Sequence, residues 1–434
     1  MGFFKASEVR SVERVDGRVQ SCASCGLYKK VESPRMEPFG NFKKGILNVG
    51  EAPGEVEDEK GRQWQGKVGR MLKRKYRGMG IDLFEDCLNI NAVNCRPVDE
   101  EGGNRAPSLN EISCCRRKVY QVIKQYKPKL IVALGRAAIV SLVGSRLSGG
   151  GPFGITRWRG WTIPDREFGC WIVPVFHPSY VQRMDEFPEV ECIWEQDLDF
   201  AFGCLQKPLP AFQDEEQQVV ILETQSEING ALNSLSQGPI PPDPKLLAID
   251  YETTGLKPHD TTVHKIMIAS FCDSPHRVYV FLVNLRRRRQ MSGIRKVLQS
   301  PFVGKTAHNM KFEQMWTYNI FGYDVYPWVW DSMQAAHILD NRVGISGLKM
   351  QTYIHFGVPD YDSDVGPYLR AVDEKDGNSV NRLEELLRTP HGRQRALTYC
   401  GMDGLFNYRL ALMQMEQMGI DPDKRLHELV NKSV

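Results

Sequence analysis

The chain has 434 residues, more than the ~250–300 at which a single hydrophobic core stops growing, so two or three domains are expected. Its hydrophobic (41%) and charged (25%) fractions are those of an ordinary soluble globular protein, and no apolar run approaches the ~18–20 residues that span a bilayer. A net charge of only +3 does not by itself mark a nucleic-acid binder.

The amino terminus "MGFFKASEVR" lacks a signal-peptide apolar core, and Ala6 breaks the myristoylation pattern, so a cytoplasmic protein with no membrane partner is expected. Eleven cysteines in such a chain argue against a disulfide framework. Cys22 and Cys25 form a C-x-x-C pair, followed by Cys95 and the adjacent Cys114 and Cys115. The other six read as buried small apolar residues. On spacing alone, four of the first five could hold zinc or an iron–sulfur cluster, or remain reduced and buried.

Four continuous apolar runs follow: "GILNVG" (Gly45–Gly50), "LNINAVN" (Leu88–Asn94), "LIVAL" (Leu130–Leu134) and "IVPVF" (Ile172–Phe176). Runs without alternation are expected of strands buried on both faces, so the fold class is α/β, with a four-stranded parallel sheet flanked by helices. Ligands of such sheets sit beyond the carboxyl ends of the strands. There the sequence places Gly50, Glu51, Trp64, Asn91 and His177. An Asn amide can read a donor–acceptor edge, an aromatic can stack on a planar ring, and His can donate to a carbonyl. Together they suit a pocket for a flipped base.

The polar, proline-containing stretch at 206–216 is the expected linker between a first domain at 1–205 and a second at 217–434. The second opens with strands "VVILE" (Val219–Glu223) and "LLAIDYE" (Leu246–Glu252), extended by "KIMIASFC" (Lys265–Cys272) and "RVYVFLV" (Arg277–Val283). From about Ser292 the pattern predicts mostly helix. Asp250 and Glu252, one residue apart on a strand, point to the same side, and acids on a buried strand need partners such as divalent metals. Downstream lie Asn309, Glu313, Asp331, Tyr399 and Asp403, the last two sharing a helix face. Basic runs occur at Lys73–Arg77, Cys114–Lys118 and "LRRRRQ" (Leu285–Gln290), the last of which would hold a phosphate backbone if it lies beside these acids.

Residues 20–205 resemble the family 4, iron–sulfur uracil-DNA glycosylases: "GEAPGEVEDEKGRQWQGKVGRML" matches their first motif in outline, Asn91–Pro97 their N-x-x-x-C-R-P, and His177–Ser179 their H-P-S. The resemblance implies a structural [4Fe–4S] cluster on Cys22, Cys25, Cys95 and Cys115, the last preferred to Cys114 because it directly precedes an Arg. It implies that Asn91 reads uracil, that His177 bonds its O2 as charge develops, and that Glu51 positions water or stabilises the cation. The family stacks uracil on Phe; here Trp64 stands in that place. A larger ring in a tight slot costs about 1–3 kcal/mol, so weak or absent uracil excision is expected.

Residues 217–420 resemble the DEDDy 3′–5′ exonucleases, specifically the proofreading domain of family A DNA polymerases. Asp250-Tyr251-Glu252 matches D-x-E, Asn309–Glu313 matches N-x-x-F/Y-D with Glu in place of the last Asp, and Tyr399–Asp403 matches Y-x-x-x-D. The resemblance implies two-metal hydrolysis with Mg2+ or Mn2+ on Asp250, Glu252 and Asp403, Glu313 as a second-site or water-mediated ligand, and Tyr399 orienting water. An α/β ribonuclease H-like fold goes with it. The combination resembles phage family A polymerases, and the chain is expected to be either their amino-terminal part or a split subunit that acts on DNA with a polymerase or other replication proteins. The alternatives are an active glycosylase–exonuclease repair protein and a non-catalytic DNA or polymerase docking module.

Overall fold

Strands buried on both faces need every residue apolar or internally bonded, and the first sheet meets that demand. The computed structural model describes residues 14–15, 18–19, 21–147, 154–237, 245–258, 260–373, 378–422 and 424. These divide into two compact units, one running to Phe212 and including Tyr353–Asp360, the other holding Gln213–Thr352 and resuming at Tyr361.

In the first unit a two-residue hairpin, β1 (Arg14–Val15) and β2 (Arg18–Val19), precedes a five-stranded sheet. Its strands are β3 (Ile46–Gly50), β4 (Cys87–Asn91), β5 (Leu130–Leu134), β6 (Ile163–Asp165) and β7 (Cys170–Val175), in the order β4-β3-β5-β7-β6. The four expected strands are parallel; β6 is an additional strand, antiparallel to β7. Three residues carry no periodic signal, and the proline in Ile-Pro-Asp is tolerated because this strand is an edge. Helices Lys67–Gly78, Leu109–Tyr126, Arg136–Val143 and Pro188–Gly203 accompany the sheet. Ser108 caps the second of these in a capping box with Glu111. The carboxyl ends of β3, β4 and β7 deliver Gly50, Asn91 and the turn to His177.

The second unit holds a six-stranded sheet: β8 (Val219–Ile221), β9 (Lys245–Thr253), β10 (Ile266–Ser274), β11 (Arg277–Leu282), β12 (Val303–Ala307) and β13 (Trp328–Asp331), in the order β13-β12-β9-β10-β11-β8. β9, β10 and β11 form an antiparallel meander, while β12 runs parallel to β9 and to β13. Strands β12 and β13 correct the expectation of mostly helix beyond Ser292. Their sequences, "VGKTA" and "WVWD", hide the signal: β12 buries Lys305 completely, with its Nζ donating to Ser300 O at 2.7 Å and to Tyr326 O. Burial lowers the Lys305 pKa to about 6.

The helix Pro390–Gln417 lies against this sheet, and two of its glycines set how close it comes. A Cβ on Gly401 would stand 2.5 Å from Val219 Cγ1, and one on Gly404 would stand 2.5 Å from Ser270 Oγ. Ser270 is the register partner of Asp250. This close approach brings Tyr399 and Asp403 over the strand that carries Asp250 and Glu252.

Candidate active sites

The first site forms where β3, β4 and β7 end. Gly50 has no room for a side chain: a Cβ there would lie 2.3 Å from Asn91 Oδ1 and 3.1 Å from Trp64 Cζ2. Gly50 therefore lies against both Asn91 and Trp64, and the Trp64 ring lies 5.8 Å from that of His177, tilted by 32°. Trp64 is buried at φ +62°, a strained region for a bulky residue, and its indole Nε1 is buried without a hydrogen-bond partner among the described residues.

His177 caps the helix Pro178–Arg183, its Nδ1 accepting from Ser179 N–H at 3.3 Å and lying 2.7 Å from Ser179 Oγ. Burial, helped by Arg183, lowers its pKa to about 4. The ring is neutral with the proton on Nε2, which suits it to donate rather than to protonate. Burial raises the Glu51 pKa against the pull of Arg183 and Arg136.

The cysteines converge beside this pocket. Cys95 and Cys115 share one buried apolar cluster with Leu27, Ala92 and Ile112, and Cys25 packs against it. Cys22–Cys25 forms a single helical turn closed by Gly26 at φ +71°, the left-handed geometry that favours glycine. Arg35 N–H donates to Cys95 Sγ at 3.2 Å. Burial and then Cys25, Cys95 and Cys22 push the Cys115 thiol up to about 12. The neighbouring thiols that raise Cys114 are Cys25 and Cys22.

A tetrahedral zinc with Zn–S of about 2.3 Å would hold its sulfurs within about 3.8 Å of one another. Among the described residues no three of these thiols lie within 4.8 Å of each other. The donor set of soft thiols in an apolar setting fits a cysteine-ligated metal group.

The second site is a buried concentration of acids. Glu252, Asp403 and Glu313 are buried and Asp250 is half-buried. Burial and then Asp403 raise Asp250 to about 7, with Lys349 opposing. Burial followed by Asp250 raises Glu252 and Glu313 well above the carboxylate range. Glu313 Oε2 is buried with no hydrogen-bond partner among the described residues. Tyr399, also buried, feels Asp403, Glu252 and Asp250. Such a set of hard oxygens, short of positive charge and with one orphaned oxygen, fits Mg2+ or Mn2+.

Three participants were not legible in the sequence. Lys349 pairs with Asp403 and stands 3.7 Å from the centre of the Tyr361 ring and 4.2 Å from that of Tyr399. The Tyr361 hydroxyl also donates to Asp403. Cys400, expected to be an inert buried thiol, lies 3.5 Å from Asp250 Oδ2 and within 4.8 Å of oxygens from both Asp250 and Glu252. A second correction concerns Cys192, which is exposed. Asp331 has other work: it caps helix Ser332–Leu339 and accepts Asn309 N–H at 3.1 Å and Met310 N–H at 3.0 Å. Asn309 itself is the N-cap of helix Met310–Phe321, at φ +75°.

Residues 37–198 match the uracil DNA glycosylase superfamily. Over 197 residues, 45% of this chain and 95% of the other, the sequence is 34% identical to the type-4 uracil-DNA glycosylase of Thermotoga maritima. The chain belongs to the type-4 uracil-DNA glycosylase family. In this family member the glycosylase region is joined to a second one: residues 219–363 match a 3′–5′ exonuclease family. A DNA polymerase of Bacillus phage SP01 is 25% identical over 343 residues, 72% of this chain, which spans 34% of that polymerase. Among solved structures, the Aedes aegypti Nibbler EXO domain aligns at a TM-score of 0.34 and 13% identity, covering 50% of this chain and 96% of that one. By its two family matches, this type-4 glycosylase homologue is a DNA-processing protein whose second region matches a 3′–5′ exonuclease family. No helix among the described residues is long and apolar enough to cross a membrane.

Proposed function

We propose that the chain is a two-metal 3′–5′ DNA exonuclease of the proofreading type, carried with a glycosylase-like domain that binds DNA and excises uracil weakly or not at all. The division is 1–205, a linker at 206–216, and 217–434. The observation that carries the nuclease assignment is the meeting of Asp250, Glu252, Glu313 and Asp403, four acids from one strand and two helices, close enough in a largely buried group for Asp250 and Asp403 to raise their neighbours.

Asp250, Glu252 and Asp403 would hold the first divalent ion, and Glu313 would serve a second position directly or through water. Bound ions would supply positive charge to the attacking and leaving oxygens. Tyr399, whose ring lies 4.2 Å from the Lys349 ammonium, would orient the attacking water, and Lys349 with Tyr361 holds Asp403. Asn309, at the start of the helix that carries Glu313, would face the substrate strand. The glycosylase region would hold a [4Fe–4S] cluster on Cys22, Cys25, Cys95 and Cys115, tying the amino-terminal turn to the loop after Asn91. In the pocket Asn91 would read the base edge, neutral His177 would donate to a carbonyl, and Glu51 would position water.

The test is end-labelled DNA containing one uracil, incubated with Mg2+. Stepwise shortening from the 3′ end is the expected result, with little alkali-sensitive cleavage at the uracil. A strand that keeps its length in Mg2+ or Mn2+ would overturn the nuclease assignment. Rapid cleavage at uracil would overturn the weak-excision reading.

A further inference from the structure

From the turn after β11 into the first turn of the helix Arg288–Leu298 the chain carries four consecutive arginines, Arg286–Arg289, all exposed. None forms an ion pair among the described residues. They are not a loose loop. Gln290 is buried, its Oε1 accepting Asn284 N–H at 2.8 Å and its Nε2 donating to Leu282 O at 2.9 Å. Asn284 in turn accepts Arg286 N–H on Oδ1 at 3.1 Å and Arg287 N–H on its carbonyl at 3.0 Å. The turn is braced from within while its guanidinium groups face water. Helix stability does not explain this charge, because cations at a helix start oppose its dipole.

Sheet register locates the turn. Ile268 pairs with Glu252 on one side and with Leu282 on the other. Glu252 and the end of β11 therefore share one row, two strand spacings or about 9–10 Å apart. The arginines begin four residues past Leu282, at the sheet end where the acids lie. We propose that Arg286–Arg289 form a binding site for the phosphates of single-stranded DNA on the 5′ side of the bond being cut. Guanidinium groups bind phosphate oxygens in a bidentate fork, and four in a row suit a continuous backbone. The proposal rests on the nuclease reading of Asp250, Glu252 and Asp403. A dinucleotide has only the phosphate being cut and would not reach this site.

The experiment compares the full-length parent, a variant with all four arginines changed to Gln, and one with all four changed to Lys. Binding of a labelled single strand of about a dozen nucleotides is read by anisotropy in EDTA across a salt series. Cleavage of the same strand and of a dinucleotide is then read in Mg2+. The Gln variant should bind the long strand at least about tenfold more weakly, with a salt slope shallower by about 0.7 for each phosphate no longer neutralised. Its KM for the long strand should rise to match while kcat and dinucleotide cleavage stay at parental values, and the Lys variant should keep most of the affinity. Unchanged affinity and salt slope in the Gln variant would overturn the proposal. If the parent cuts neither substrate the nuclease reading falls, and the EDTA binding comparison still decides the arginine site by the same criterion.

Discussion

Binding of divalent metal by the exonuclease acids should weaken as pH falls, and the size of the effect follows from the site. A carboxylate must be ionised to ligate, so metal and proton compete for Asp250 and Glu252. Burial and the neighbouring Asp403 put Asp250 at about 7 without metal. For one group of that pKa, the ionised fraction rises from about one-eleventh at pH ~6 to about ten-elevenths at pH ~8, so affinity should rise about tenfold. Glu252 is raised further and by the same causes, so its proton adds to the effect. The sign for folding is opposite. A raised carboxylate pKa stabilises the metal-free fold below the unfolded value and is lost as pH rises toward 7, so metal should rescue stability most at the alkaline end. Mn2+ titration followed by EPR at the two pH values measures the affinity directly. Equal affinities at both would refute the assignment of these buried acids as the metal site.

Asp250→Ala or Glu252→Ala should abolish metal-dependent 3′ digestion, read on end-labelled DNA, while Glu313→Asp should leave it intact or raise it. Cys115→Ala should lose bound iron and the broad visible absorbance of a cysteine-ligated cluster, whereas Cys114→Ala should keep about four irons per chain; iron analysis of both purified proteins decides between the two positions. Trp64→Phe should raise uracil excision roughly fivefold to 150-fold if crowding of the slot costs about 1–3 kcal/mol; a parent that already excises quickly, and is slowed by the change, would show that the indole is not in the way.

What could be read from the chain follows from how local each signal is. Asp250 and Glu252 declare themselves through strand periodicity, and Tyr399 and Asp403 through helical spacing. The parallel strands of the first sheet show as unbroken apolar runs. Lys349 and Tyr361 are different. Each enters the nuclease site through its bond to Asp403, more than 40 residues away in sequence. No spacing rule links them to it. Strands β12 and β13 were hidden for a related reason. A lysine in mid-strand looks like a surface residue until Ser300 O and Tyr326 O are seen to accept its protons. The left-handed backbone at Trp64 is equally invisible, because a bulky aromatic gives no hint of positive φ.

The two sites leave opposite kinds of group unsatisfied, and this separates their partners. In the first pocket the orphaned atom is a donor, Trp64 Nε1, beside a histidine held neutral with its free nitrogen protonated. Such a site offers hydrogen bonds to a neutral, acceptor-rich ring such as a nucleobase. In the second, Glu313 Oε2, an acceptor, is orphaned among acids whose raised pKa values come first from burial and then from each other. Lys349 supplies one positive charge, spent on Asp403. A polyanionic strand could not approach that group without further cations, and divalent ions meet that need while remaining exchangeable. On the proposed reading, nucleic acid would enter the two sites by different means, the first through a single base and the second through its phosphates.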